Sequence, residues 1–102
     1  IENVIQANLL ASMAKEEAQK TVYNVAFGER ITLNDLFTAI RDEVARHTGS
    51  CTVAPVYRDF RPGDVRHSLA DISKAKKYLG YAPVYNVRQG LALAGDWYAR
   101  NL

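Results

Sequence analysis

Thr21-Val22-Tyr23-Asn24-Val25-Ala26-Phe27 (TVYNVAF), closed by Gly28, is the stretch on which the fold class turns. It is short, β-branched and aromatic, and it stops at a glycine, as a buried strand does. Read as a strand, it makes the chain an α/β unit. Cys51 to Tyr57 (CTVAPVY) reads as a second short strand, and Pro55 gives it an edge position or a bend. Helical patterns surround both. Thr32 and Asp35 form a near-capping-box, and Leu33, Leu36, Phe37, Ile40 and Val44 follow with helical spacing until His47-Thr48-Gly49. Asn3 is the expected N-cap of an opening helix marked by Val4, Ile5, Leu9 and Met13, which fades in Lys15-Glu16-Glu17. Asp71 caps a short helix through Leu79, ended by a left-handed Gly80. Asn86 is a further cap candidate for a closing helix, Val87 to Arg100, with Leu91, Ala94, Trp97 and Tyr98 inward. The order helix, strand, helix, strand, loop, helix, helix predicts a small α/β unit.

The bulk properties narrow the classes. A chain of 102 residues is one domain or a piece of one. With 48% hydrophobic and 24% charged residues it falls in the ordinary globular range. The net charge of +2 comes from interleaved signs without a basic run, which argues against a nucleic-acid partner. Cys51 alone cannot form an internal disulfide, so a reducing, cytoplasmic compartment is expected. No apolar run approaches the ~20 residues that span a bilayer, so no membrane partner is expected. Ile1-Glu2-Asn3-Val4-Ile5 begins in mid-pattern without methionine, which reads as a segment of a longer polypeptide.

Self-sufficient catalysis is hard to find. Gly28 stands alone after its strand-like stretch, so no glycine fingerprint for a dinucleotide exists, and no Tyr-x-x-x-Lys pair occurs. His47 and His67 lack the spacing of a metal site. Cys51 reads as a small core hydrophobe, and Lys74, Lys76 and Lys77 as the wet face of a helix. Chemistry concentrates instead in Phe60-Arg61-Pro62-Gly63-Asp64-Val65-Arg66-His67-Ser68. Pro62-Gly63 makes a tight turn that returns Asp64 beside Arg61. A guanidinium fork suits phosphate oxygens, and a carboxylate accepts from vicinal hydroxyls such as those of a ribose. The same residues also fit a mutual ion pair on a solvated turn, worth under about 1 kcal/mol.

Taken in order, Tyr23-Asn24-Val25-Ala26-Phe27-Gly28, Leu33-Asn34-Asp35-Leu36, Arg61-Pro62-Gly63-Asp64, and Asp71-Ile72-Ser73-Lys74-Ala75 to Leu79-Gly80-Tyr81 resemble the C-terminal portion of extended short-chain dehydrogenase/reductases, among them the UDP-sugar 4-epimerases. The segment Tyr57 to Ala75 is similar to the UDP-N-acetylglucosamine 4-epimerases of bacterial surface-polysaccharide synthesis. The resemblance covers essentially the whole chain, so residues 1–102 would be the C-terminal UDP-sugar-binding portion of such an enzyme.

By position, the resemblance implies that Arg61 binds the UDP diphosphate, Asp64 the uridine ribose, and Ser68 a place beside the sugar ring. A small residue there leaves room for a 2-acetamido group. It further implies NAD as cofactor, bound by an N-terminal domain absent from this chain, a UDP-N-acetylhexosamine substrate, and a homodimer. The chain alone would be inactive. Two alternatives stand beside it. One is another nucleotide-sugar enzyme of the superfamily (UDP-glucose 4-epimerase, dehydratase or decarboxylase). The other is a non-enzymatic α/β module.

Overall fold

A computed structural model describes residues 1–101. Helix α1 spans Glu2–Ser12, a 3-10 turn follows at Glu16–Ala18, and α2 (Leu33–Thr48), α3 (Ser73–Leu79) and α4 (Val87–Asn101) complete the regular structure. No strand occurs among the described residues, so both expected strands are corrected and this chain by itself is helical rather than α/β. The reason is physical: a strand exists only against a partner, and neither 21–27 nor 51–57 finds a ladder here. Side chains hold the first of these segments instead. Lys74 Nζ donates to the Thr21 hydroxyl and, at 2.9 Å, to the Val22 carbonyl, and Asn24 Nδ2 donates to Asp71 O at 3.2 Å. Lys74 is therefore a tether as well as a surface cation.

The chain forms two compact units. The first comprises Ile1–Glu29 and Leu69–Asn86. Its core gathers Ala7, Ala18, Ile72, Ala75, Leu79 and Tyr81. Tyr81 is 1% exposed, and its hydroxyl donates to the Ala26 carbonyl at 2.9 Å. Asn3 does not cap α1, because Ile1 occupies that position. Its carboxamide accepts from the amides of Val84 (2.9 Å) and Tyr85 (3.1 Å) and donates to Tyr85 O at 2.7 Å. One turn on, Gln6 both donates to and accepts from the Ala82 backbone at 2.9 Å. Two side-chain amides one turn apart on α1 thus hold the backbone of residues 82–85. Asp71 does not cap α3, whose N-cap is Ile72; the Ser73 side chain and then the Ser73 amide, which donates to Asp71 Oδ1 at 2.9 Å, hold its carboxyl below the ordinary value. Gly80, left-handed at φ 68°, ends α3 as expected.

The second unit comprises Arg30–Ser68 and the segment from Val87, and it packs α2 on α4. Thr32 caps α2 and bonds Asp35, the two residues of the expected near-capping-box. Thr32 Oγ1 accepts from the Asp35 amide at 3.0 Å and donates to Asp35 Oδ2 at 2.6 Å. Gly49 closes α2 at φ 84°. The inward placement of Trp97 and Tyr98 is corrected: Trp97 is 59% exposed, and the two rings meet edge to face at 5.1 Å on the surface.

At the α2–α4 contact stands a buried carboxylate, Glu43, 7% exposed. It pairs with Arg46 at 2.8 Å and with His47 Nε2 at 3.0 Å, and His47 lies 3.6 Å from Asp96 on α4. A Cβ at Gly95 would fall 2.7 Å from Glu43 Cγ and 2.8 Å from Cδ, well inside contact distance. Helix propensity alone favours alanine over glycine by about 1 kcal/mol. At Gly95 the displaced Glu43 must also give up its partners, at an overpacking cost of about 1–3 kcal/mol. Gly95→Ala is therefore expected to lower stability, while Gly90→Ala in the same helix, where nothing lies within 4 Å of the added carbon, raises it. Urea midpoints of the two variants check the opposite signs.

Candidate functional site

Residues 52–71 are exposed throughout, so the nine residues that concentrate charge lie on an open segment. Within it, Arg61-Pro62-Gly63-Asp64 forms a β-turn: the Asp64 amide donates to the Arg61 carbonyl at 3.2 Å, with Gly63 at φ 86°. Proline in the second position and a left-handed glycine in the third are what a type II turn requires. The turn brings Arg61 Nε to 3.3 Å from Asp64 Oδ2. That contact takes one of the guanidinium's five donors, and the Arg61 side chain stays 85% exposed. An ion pair so wetted contributes at most about 1 kcal/mol to stability.

The expected site residues therefore separate into a pair and an outlier. Arg61 and Asp64 are brought together. Ser68, four residues further, is exposed, and among the described residues no hydrogen bond joins it to either of them. Two shallow depressions lie elsewhere, one beside Leu10, Met13 and Tyr78, the other beside Gly28, Leu69 and Asp71. Neither includes the pair.

Sequence reasoning passed over a contact flanking the turn. The Arg66 guanidinium sits over the Phe60 ring, 4.1 Å from its centroid. The signal was the turn itself, because a reversal at Pro62-Gly63 sets the residues on its two sides opposite each other. The spacing of four between Glu43 and His47 was likewise legible and unused. Among the described residues, no group of three His, Cys, Asp or Glu side chains is placed to hold a metal ion.

The chain's residues do not fit a dinucleotide. Gly28, at φ 88°, is placed by packing: a Cβ there would come 3.0 Å from Ile72 Cδ1. It opens no helix. The amide end of α2 is capped by Thr32, and among the described residues no glycine-rich turn opens a helix.

No protein-family profile matches the chain. The chain is similar to nucleotide-sugar epimerases and dehydratases. It is 28% identical over its full 102 residues to a dTDP-L-rhamnose 4-epimerase of Burkholderia thailandensis, of which it spans 26%. Over 45 residues, 44% of its length, it is 49% identical to a dTDP-glucose 4,6-dehydratase of Xanthomonas campestris pv. campestris, covering 13% of that protein. A UDP-glucuronate 4-epimerase of Thermodesulfobacterium geofontis is 39% identical over 46 residues, 45% of the chain and 14% of that enzyme. The chain thus spans about a quarter of the length of the relative it matches end to end.

Proposed function

We propose that this chain is the nucleotide-sugar-binding portion of an NAD-dependent UDP-N-acetylhexosamine 4-epimerase, interconverting UDP-GlcNAc and UDP-GalNAc in the cytoplasm as a homodimer. The observation that carries the reading is the type II turn that sets Arg61 beside Asp64. A cation for a diphosphate and a carboxylate for ribose hydroxyls, held a turn apart, match the adjoining groups of a nucleoside diphosphate. NAD is held by a part of the protein outside this chain, and no step of hydride transfer falls to residues 1–102. Their work is to grip the nucleotide while the hexose stays free to turn over, which places binding energy away from the reacting carbon. The isolated chain is expected to turn over no UDP-sugar.

Ser68 tests the acetamido specificity. Its small side chain lies four residues beyond the ribose carboxylate, on the way from nucleotide to hexose. Ser68→Tyr adds a ring to that space. Overpacking of about 1–3 kcal/mol predicts that the full-length enzyme loses UDP-GlcNAc activity by about 5–150-fold and keeps activity on UDP-glucose. The measurement is the ratio of kcat/KM for the two sugars in both proteins. A ratio that stays within about twofold removes Ser68 from the site. A second reading, a dTDP-sugar enzyme, is favoured by the printed activities of two of the relatives, so dTDP-sugars belong in the same panel.

A further inference from the structure

Phe60 is 73% exposed although it stands between two charged residues, Asp59 and Arg61. One face of its ring is covered by the Arg66 guanidinium at 4.1 Å from the centroid. Given the exposure, the other face is open to solvent. The ring directly precedes Arg61, and the type II turn folds Asp64 back to the same place, so an aromatic plane, a guanidinium and a carboxylate gather at one turn.

We infer that Phe60 is the stacking platform for the nucleobase of the bound nucleotide, with Arg66 as the positioning residue that holds the ring. The inference rests on the nucleotide-sugar reading of Arg61 and Asp64. A nucleoside diphosphate has three recognisable parts: an anionic diphosphate, a sugar with vicinal hydroxyls, and a flat π-system. The turn supplies a complement to the first two, and the open ring face complements the third. Stacking on an aromatic side chain is tolerant of base identity, because every base has a π-face. Guanidinium contact on the far side limits the ring's motion before the base arrives, which lowers the ordering cost of binding.

The test compares UDP with ribose 5-diphosphate, which keeps the sugar and the phosphates and lacks the base, by calorimetry on the full-length protein. Phe60→Ala is expected to weaken UDP about 5–150-fold, the usual worth of one stacked base, and to leave ribose 5-diphosphate within about twofold. Phe60→Trp restores UDP binding and Phe60→Leu does not. If Phe60→Ala weakens both ligands alike, the ring acts through the turn rather than on the base, and the inference fails. If it weakens neither while Arg61→Ala weakens UDP, the platform is lost and the diphosphate reading stands. Absence of UDP binding by the unsubstituted protein overturns both.

Discussion

Tyr81→Ala is expected to cost the first unit about 3–5 kcal/mol, the range for deleting a large buried aromatic. Tyr81 is the largest side chain in that unit to be almost wholly enclosed, and its neighbours Ala7, Ala18 and Ala75 are too small to close over the cavity. Its hydroxyl also ties Ala26 to the segment after α3, so the truncation frees the Ala26 carbonyl together with the ring's space. A small domain has only about 5–15 kcal/mol in total, so this unit should be largely unfolded in the variant. Tyr81→Phe isolates the hydrogen bond and should cost about 1–3 kcal/mol, the penalty for an acceptor left unsatisfied. Burial raises the Tyr81 phenol above its ordinary value, so the folded state holds that proton more tightly than the unfolded one. The associated stability is complete below about pH 10 and is lost as pH rises through the raised value. Urea unfolding monitored by circular dichroism checks all three. A Tyr81→Ala midpoint equal to that of the unsubstituted chain would show that the ring is not the centre of this core.

The helices were legible because their signals are local. A hydroxyl at Thr32, a carboxylate at Asp35 and a glycine at position 49 each act within one turn of themselves, and each is found in its expected role. The strand readings failed because strandness is not local. The β-branched and aromatic residues of Thr21 to Phe27 suit a pleated surface, but the pairing partner must come from elsewhere, and in this chain the Lys74 and Tyr81 side chains donate to the Val22 and Ala26 carbonyls that a neighbouring strand would otherwise bond. Asn3 misled for a related reason. Its amide serves a cap or a distant backbone equally well, and residues 84 and 85 lie more than 80 positions away. The Glu43–Gly95 approach joins two helices that only tertiary structure brings together. At the candidate site, Pro62-Gly63 wrote the turn into the sequence. The Phe60–Arg66 contact needed the turn to be built first.

Arg61→Ala is expected to weaken UDP binding to the full-length protein by about 1.5–3 kcal/mol, or roughly 10–150-fold, the worth of a hydrogen bond to a charged group. The free geometry makes this a clean experiment. Arg61 is exposed, and its pairing with Asp64 is a surface ion pair. Removing it should therefore move stability by no more than about 0.5 kcal/mol. A change in affinity then cannot be blamed on the fold. Asp64→Asn keeps the shape and the turn but gives up the charged acceptor, and it should cost less. Arg61→Lys keeps the charge but loses the planar fork, so it should recover only part of the affinity if the diphosphate is read by two parallel donors. Raising the salt concentration should weaken binding by the unsubstituted protein and flatten its difference from Arg61→Ala, because both depend on a charge that ions screen within about 10 Å at 0.1 M. The decisive result is the opposite pattern. UDP affinity unchanged in Arg61→Ala, with the stability equally unchanged, would leave the turn as a solvated ion pair and place the nucleotide grip elsewhere in the protein.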